Sequence, residues 1–258
     1  MEPMLPAERR QKILAIIARE LTIRVSSLSE ILGVSEMTVR RDLDYLGERG
    51  LAERTHGGAV FIKRRTPGKF QYASSVQTNP DERTRIARTA AALIEPHDMV
   101  YLGEGATTSE MVHYFDSDMP FTIFTNNLGV ASQFQGRAAE LIVLGGTYSP
   151  ETHALAGPIT MEQIRQINAS KVFLGVDGLS LQSGLTTPNL DIAAVERSMI
   201  HYTRGKVIAM ADHSKFGLVA EVGVAPIHQI DIIVTDQKIP GGFQKELQQT
   251  GVEVIVAE

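Results

Sequence analysis

The sequence predicts an α/β protein in two parts, an N-terminal winged helix-turn-helix followed by a doubly wound, mostly parallel α/β domain. Three short amphipathic helices and two strands around a glycine pair fill residues 7–61, and from residue 81 onward short β-branched strands alternate with helices. That alternation favours a parallel sheet covered on both faces. Because 258 residues exceed the usual size of one domain, we assign residues 1–62 to the winged domain, 63–80 to a linker and 81–258 to the second domain.

The winged domain is predicted from its helix signals. The first helix covers about residues 7–20, and the second begins with Ser27 and Glu30 at the spacing of a capping box. Gly33 supplies the tight turn that must join two short helices. Ser35 then stands where a third helix needs an N-cap.

The third helix predicts a DNA-binding surface. Val39, Leu43 and Leu46 recur at helical spacing and are expected to pack inward, which leaves a polar and basic outer face. An arginine pair alone is more often only a solvated surface, but a complete helix-turn-helix and wing pattern favours contact with DNA. The candidate DNA-binding residues are Ser35, Met37, Thr38, Arg40, Arg41, Arg54 and His56.

Charge and composition narrow the function further. Residues 1–66 carry twelve Lys/Arg and nine Asp/Glu, a balance of +3, whereas the remainder of the chain carries −8. A basic module beside an acidic domain suits a DNA-binding protein. The absence of cysteine excludes disulfides, and no leader or bilayer-length apolar run is present, so we expect a cytoplasmic protein without membrane contact. The scattered histidines predict no metal site.

The second domain is predicted element by element from its apolar periodicity. The expected helices are 81–94, 109–114, 128–134, 159–167 and 192–202. The expected strands are 99–102, 122–124, 141–144, 171–176, 207–210 and 231–234, before a closing helix and strand.

Four of these strands end in small or polar residues, in the runs 102–109, 125–127, 145–147 and 175–178. In doubly wound folds, ligands bind outside the carboxyl ends of the strands. Glycines and hydroxyls where a strand meets a helix are suited to binding phosphate, although glycines alone can serve only a tight turn. The four runs together predict a ligand pocket at this edge.

Two motifs resemble the DeoR family of bacterial transcription regulators. They are Val-Ser-x-x-Thr-Val-Arg-Arg-Asp-Leu from Val34 and Arg-x-His-Gly-Gly-Ala from Arg54, in about the first quarter of the chain. The remainder resembles the family's sugar-sensing domain, which belongs to the sugar-phosphate isomerase and deaminase superfold. Glu104 and Ala106 depart from that pattern, which commonly has Asp and a hydroxyl residue there. Leu179 replaces the histidine that opens the sugar ring, so a pocket that binds sugar phosphate without converting it is expected.

The resemblance implies an effector site in this second domain. Gly105, Thr107 and Thr108 match its phosphate-binding turn, and Asp177 and Gly178 match its Asp-Gly pair. The full set of candidate effector-binding residues is Gly103, Gly105, Ala106, Thr107, Thr108, Asn126, Gly145, Gly146, Asp177, Gly178 and Lys215. For Lys215 the alternative remains a structural ion pair with Asp212.

The sequence therefore predicts a repressor of a carbohydrate catabolism operon, released from double-stranded operator DNA by a phosphorylated sugar. One recognition helix covers one half-site, so a homodimer or homotetramer is expected. Two alternatives remain. One is an isomerase or deaminase with an appended DNA-binding module, which Leu179 disfavours; the other is a DNA-binding scaffold whose second domain only oligomerises, which the glycine-rich strand ends disfavour. No catalytic residue and no cofactor are predicted.

Overall fold

The computed structural model describes residues 4–20, 22–54, 58–61, 63–64, 77–136 and 138–258. Its helices are α1 (Pro6–Glu20), α2 (Val25–Leu32), α3 (Glu36–Glu48), α4 (Pro80–Ala91), α5 (Ala106–Met111), α6 (Leu128–Gln133), α7 (Pro158–Arg165), α8 (Leu190–His201) and α9 (Gly241–Gln249). Short 3-10 turns follow at Val112–Tyr114, His213–Lys215 and Ile227–Gln229.

The described strands fall into the winged domain and the second domain. In the first part they are β1 (Thr22–Arg24), β2 (Ala52–Arg54), β3 (Gly58–Phe61) and β4 (Lys63–Arg64). In the second they are β5 (Met99–Leu102), β6 (Thr122–Thr125), β7 (Glu140–Val143), β8 (Thr147–Ser149), β9 (Ala154–Ala156), β10 (Ala169–Gly175), β11 (Gly178–Ser180), β12 (Gly184–Thr187), β13 (Thr203–Met210), β14 (Leu218–Val219), β15 (Val222–Ala225), β16 (Ile232–Asp236) and β17 (Glu253–Ala257).

The winged helix-turn-helix has the three predicted helices, and Gly33 ends α2 in the left-handed conformation at φ 63°. The wing strands β2 and β3 pair antiparallel as predicted, and the unpredicted strand β1 joins them on the other side of β3. The predicted capping box at Ser27 is wrong. Strand β1 ends at Arg24 and the chain enters α2 directly at Val25, so Ser27 lies inside the helix rather than at its start.

The small core of this domain lies between its three helices and the wing. Val39, Leu43 and Leu46, which were predicted from helical spacing, are at most 2% exposed, and Ile13 of α1 and Leu28 of α2 are fully buried beside them. Ile17, Val25, Ala52 and Ala59 complete the cluster. The inward stripe of α3 is therefore fixed by packing, and its opposite side is left to solvent.

The second domain is doubly wound. Seven parallel strands form one sheet in the order β17-β16-β13-β10-β5-β6-β7. One hydrophobic cluster packs α4 and α5 against one face, and another packs α7, α8 and α9 against the opposite face. The predicted helices and strands of this domain are present, most with ends shifted by a few residues.

The strand order places a topological switch between β5 and β10. From β5 the chain adds β6 and β7 on one side, and it then returns to place β10, β13, β16 and β17 on the other. A crevice forms outside the carboxyl ends of the two strands where such a sheet changes direction. The loops after β5 and β10 therefore meet there.

Sequence periodicity missed several short strands. These are the β8–β9 hairpin, the antiparallel sheet β11-β12-β15, and β14. Strand β12 shows why, because all four of its residues are buried and no alternation of polar and apolar residues marks it.

Among the described residues, the N-terminal part of the chain contacts the second domain through strands β4 and β1. Strand β4 pairs in parallel with β14, placing Lys63 opposite Leu218 and Arg64 opposite Val219. Strand β1 also contacts α9. Part of the segment predicted as a linker is thus paired backbone, whereas residues 65–76 of that segment lie outside the described residues.

Candidate functional site

The start of the recognition helix α3 is organised by Ser35. Its hydroxyl accepts a hydrogen bond from the backbone N–H of Thr38 at 3.2 Å and lies 2.9 Å from the hydroxyl of Thr38. This is the predicted N-cap. Met37 is 61% exposed and Arg41 is also exposed, so both side chains point to solvent on the outer face.

Arg40 is partly neutralised within its own helix. Its guanidinium lies 3.3 Å from the carboxylate of Glu36 one turn earlier, and both side chains are well exposed. An exposed i,i+4 pair is weak, so it can open when a phosphate approaches. The side chain of Arg54 and the whole of His56 lie outside what the structure describes.

Asp42 is the feature of α3 that sequence reasoning missed. It is 1% exposed, and its carboxylate binds Arg9 at 2.5 Å and Arg10 at 2.7 Å, both from α1. The guanidinium of Arg10 also stacks on the ring of Tyr45 at 3.6 Å. These contacts tie the recognition helix to α1 and fix its orientation.

A polar cleft opens at the switch point between β5 and β10. It brings together five predicted effector residues, Gly105, Ala106, Thr107, Asp177 and Lys215, with Thr78, Arg83, Ile86, Glu104, Gly175, Val176 and Asp212. Arg83 was not predicted; it adds a second cation from the first turns of α4. Lys215 comes from the 3-10 turn after β13. Loops from three strand ends thus converge on one cavity.

Lys215 does not form the structural ion pair that was the alternative for it. Asp212 instead accepts hydrogen bonds from Asn79 Nδ2 at 2.9 Å and from the backbone N–H of Ser214 at 2.9 Å. Within the part of the chain that the structure describes, no salt bridge joins Lys215 to an acidic residue. Lys215 instead lines the cleft.

Thr108 shapes the glycine loop from beneath. It is fully buried, and its hydroxyl lies 2.9 Å from the carbonyl of Gly103 and 2.8 Å from that of Gly105. Asn127 supports the same loop, since its Nδ2 donates to the Gly105 carbonyl at 2.9 Å and to Thr108 Oγ1 at 3.0 Å. Asn127 was not predicted. The loop is therefore held rigidly from β6.

Other predicted residues lie outside the cleft. Gly145 is bonded to α7, through its N–H to Gln163 at 2.7 Å and its carbonyl to Thr160 at 2.7 Å. A side chain on Gly146 would lie 2.1 Å from the Thr160 hydroxyl. Asn126 is buried and donates to the Leu155 carbonyl. Gly103 and Gly178 lie where a side chain would meet Leu174 and Leu218. In this structure these positions support the fold around the site.

Acidic groups surround the cationic side chain of Lys215. Burial, followed by the carboxylates of Asp177 and Glu196, raises the pKa of Glu104 well above its usual value, and Lys215 opposes this only in part. Burial and then Asp177 likewise raise the pKa of Glu196, against the effect of Arg197. Burial and the adjacent carboxylates therefore disfavour the charged form of both groups.

None of the described residues that line the cleft is a histidine, which could carry a proton near neutral pH. Leu179 is fully buried and packs in the hydrophobic cluster beneath the sheet face. His213, close by in sequence, directs Nδ1 to the buried Asp236 at 3.1 Å and does not line the cleft. Across the described residues, no group of three or more His, Asp or Glu side chains is arranged to hold a metal ion.

None of the described helices is both long enough and apolar enough to cross a membrane.

Comparison with known proteins gives a consistent result over the whole chain. The family described as "DeoR C terminal sensor domain" matches residues 78–237, and that described as "DeoR-like helix-turn-helix domain" matches residues 9–65. The HTH-type transcriptional regulator GlpR of Haloferax volcanii is 34% identical over 98% of both chains. IolR of Bacillus subtilis is 31% identical over 96% of this chain and 98% of its own. A putative aga operon transcriptional repressor of Escherichia coli O157:H7 is 29% identical over 97% and 93%.

Solved structures show more distant similarity. Ribose 5-phosphate isomerase A of Methanocaldococcus jannaschii aligns with a TM-score of 0.40 and 13% identity, covering 54% of this chain and 55% of its own. The translation initiation factor eIF-2B of Pyrococcus horikoshii aligns with a TM-score of 0.43 and 12% identity, covering 89% and 82%. The sequence matches extend through both domains, and the chain belongs to the DeoR family of transcriptional regulators.

Proposed function

We propose that this chain is a repressor of a carbohydrate catabolism operon, and that a phosphorylated sugar bound in the cleft of the sensor domain releases it from its operator. One observation carries the proposal: the cleft lies at the topological switch between β5 and β10 and unites the Gly105 loop with Asp177 and Lys215. That is the position where doubly wound domains bind ligands.

The phosphate is assigned to the loop formed by Gly105, Ala106 and Thr107. The first N–H groups of a helix have no acceptor within the helix, and here they belong to the start of α5 beside the cleft. Gly105 is at φ 134°, where a side chain would be strained, so this turn of the loop requires glycine. Lys215 and Arg83 supply positive charge at the same cavity.

The operator is assigned to the exposed face of α3. Ser35 fixes the start of this helix, while Met37 and Arg41 reach solvent. A methionine can contact the methyl group of thymine, and an arginine can bind guanine or phosphate. We propose a homodimer or homotetramer, because one such helix reads only one half-site.

In this proposal, strand β14 connects the effector-binding cleft to the winged domain. The turn that carries Lys215 leads directly into β14, which pairs with β4 immediately after the wing. A ligand that draws Lys215 toward the Gly105 loop would displace β14 and hence the chain entering the winged domain. Release then follows from a shift between two arrangements that bind the sugar with different affinity.

An enzymatic role is disfavoured by the chemistry of the cleft. Ring opening requires a group that can carry a proton near neutral pH, whereas Leu179 is core and His213 is committed to Asp236. The relative from Escherichia coli O157:H7, which matches over nearly its whole length, is named as a putative aga operon transcriptional repressor, and this supports repression here. Incubation with sugar phosphates is expected to give binding without product.

The test combines a mobility shift at fixed salt with a panel of phosphorylated sugars. Thr107→Asp is the informative variant, because Thr107 lines the cleft and is partly exposed, whereas Thr108 is buried under the loop. A carboxylate there repels a phosphate dianion, so release by the sugar should be lost. Ser117→Asp, in an exposed loop outside the cleft, is the matched control. Release of Thr107→Asp at the wild-type sugar concentration would contradict the assignment.

A further inference from the structure

Among the described residues that line the cleft, Glu104 is an acid whose presence a bound phosphate does not explain. It is 5% exposed, and its Oε1 is buried with no hydrogen-bond partner among the described residues. It immediately precedes Gly105 and lines the cleft with Asp177 and Lys215. A buried carboxyl oxygen without a partner is costly, and because Glu104 lines the cleft, a ligand bound there is the natural source of the hydrogen bond that Oε1 lacks.

The other two acids that line the cleft already accept hydrogen bonds within the protein. Asp177 accepts a hydrogen bond from the Thr187 hydroxyl at 2.8 Å, and Asp212 is bonded to Asn79 and Ser214. The Oε1 atom of Glu104 therefore differs from these carboxylates in having no hydrogen-bond partner among the described residues. A donor on the ligand is the missing component.

The charges of the cleft decide which kind of donor fits. Its wall carries two cations, Arg83 and Lys215, against the acids Glu104, Asp177 and Asp212, and the buried Glu196 lies nearby. A bound phosphate adds further negative charge. A sugar acid would add still more, whereas an ammonium group would offset it and would also give Glu104 a charge-assisted hydrogen bond.

We propose that the effector is a phosphorylated amino sugar, whose ammonium group donates to Glu104 while its phosphate faces the Gly105 loop and Lys215. This inference rests on the proposed function of the cleft. Burial, followed by the adjacent acids, raises the pKa of Glu104, and a cation beside the carboxyl opposes that effect. In the complex the carboxylate of Glu104 is the acceptor, and any proton that it carries beforehand passes to solvent.

The preference should be measurable as a ratio of affinities. A charge-assisted hydrogen bond is roughly twice as strong as a neutral one, so an amino sugar phosphate should bind about tenfold tighter than the sugar phosphate with a hydroxyl in place of the amine. The corresponding sugar acid phosphate should bind more weakly than either. A hydroxyl group can donate the hydrogen bond to Glu104, but it carries no positive charge to offset the negative charge of the cleft.

The experiment is isothermal titration of the full chain with matched pairs: glucosamine 6-phosphate with glucose 6-phosphate, galactosamine 6-phosphate with galactose 6-phosphate, and 6-phosphogluconate for the acid. Glu104→Gln keeps the size of the side chain and removes its charge, so the tenfold preference should fall to about one. Glu162→Gln is the control, because Glu162 is 62% exposed on α7 and outside the cleft. It should keep the preference.

Three results would overturn the proposal. Equal or tighter binding of the hydroxyl partner by the wild type refutes the amine but leaves the sugar-phosphate function standing. An unchanged preference in Glu104→Gln refutes the role of Glu104. Failure of every phosphorylated sugar to bind a protein that still binds its operator refutes the proposed function and this inference with it. If Glu104→Gln does not fold, as judged by circular dichroism, the wild-type ratio alone decides.

Discussion

Replacing Asp42 with alanine should destabilise the winged domain more than any single change on the exposed face of α3. Asp42 is 1% exposed and is the common acceptor for Arg9 and Arg10, so its removal leaves two guanidinium groups beside each other without their counter-ion. Breaking a buried ion pair by removing one partner typically costs about 3–5 kcal/mol. How much of that cost is observed for Asp42→Ala depends on how well water can hydrate the two arginines once the carboxylate is gone.

The partial exposure of Arg9 and Arg10 lowers the destabilisation expected for Asp42→Ala. The side chain of Arg9 is 11% exposed and that of Arg10 is 26% exposed, so Arg10 can recover some hydration. Arg10 also keeps its stacking on Tyr45. We therefore expect a loss of about 2–4 kcal/mol for Asp42→Ala, with Arg9→Ala costing more than Arg10→Ala because its pair is better shielded. For a core of this size that is a large share of the free energy of unfolding.

Hydrogen exchange measured by mass spectrometry is the suitable assay. The chain has two domains, so a single two-state unfolding curve would not isolate the winged domain, whereas peptides from α1 and α3 report its local opening directly. Glu48→Ala, at the exposed last residue of α3, is the matched control and should change the opening free energy by no more than about 0.5 kcal/mol. Equal effects of Asp42→Ala and Glu48→Ala would refute a structural role for the buried carboxylate.

Three further predictions test other parts of the structure. Arg41→Ala should weaken operator binding by about 1–3 kcal/mol in a mobility shift, with Lys12→Ala on α1 as a control, and unchanged affinity would count against α3 as the reading helix. Gly33→Ala should cost about 1–2 kcal/mol by hydrogen exchange of α2 and α3, because φ is 63° there although the space is open; no cost would mean that this turn adapts. Burial acts to raise the pKa of Asp98, but hydrogen bonds from Lys171, the Glu95 N–H and Ser170 outweigh it and lower that pKa. The stabilisation by ionised Asp98 is therefore complete above the unfolded pKa and is lost as the pH falls through the folded pKa. Lys171→Met removes the main hydrogen bond to this carboxylate. The urea midpoint of the variant, measured between about pH 2 and 6, should therefore fall less with decreasing pH than that of the wild type.

The elements that sequence predicted well are those set by local periodicity and capping. Val39, Leu43 and Leu46 recur every third or fourth residue, and this alone places them inside α3. The cap at Ser35 depends only on residues within one turn. Asp42 was missed because its partners lie more than thirty residues earlier, and an acid between basic residues on a helix normally indicates a solvated surface.

The candidate site was predicted only to the level of the sheet edge. Periodicity indicates that parallel strands end together, but it does not give their lateral order, and β7 proves to be two strands away from β5. Gly145 and Gly146 therefore follow a strand remote from the switch. Asn126 and Asn127 are adjacent, and which of them turns toward the loop depends on backbone geometry at the end of β6 that no sequence pattern specifies.

The proposed release mechanism can be checked against the free energy that it requires. Moving a two-state equilibrium from 1:99 to 99:1 needs a difference in ligand affinity of about 5.5 kcal/mol between the two states. A hydrogen bond to a charged group contributes about 1.5–3 kcal/mol, so two to four such bonds made in only one arrangement are enough. The Gly105 loop is held rigidly by Asn127 and Thr108, whereas Lys215 belongs to a short turn joined to β14. The bonds that differ between the two arrangements should therefore be those from Lys215, and the strand pair β14–β4 is the element that their formation moves.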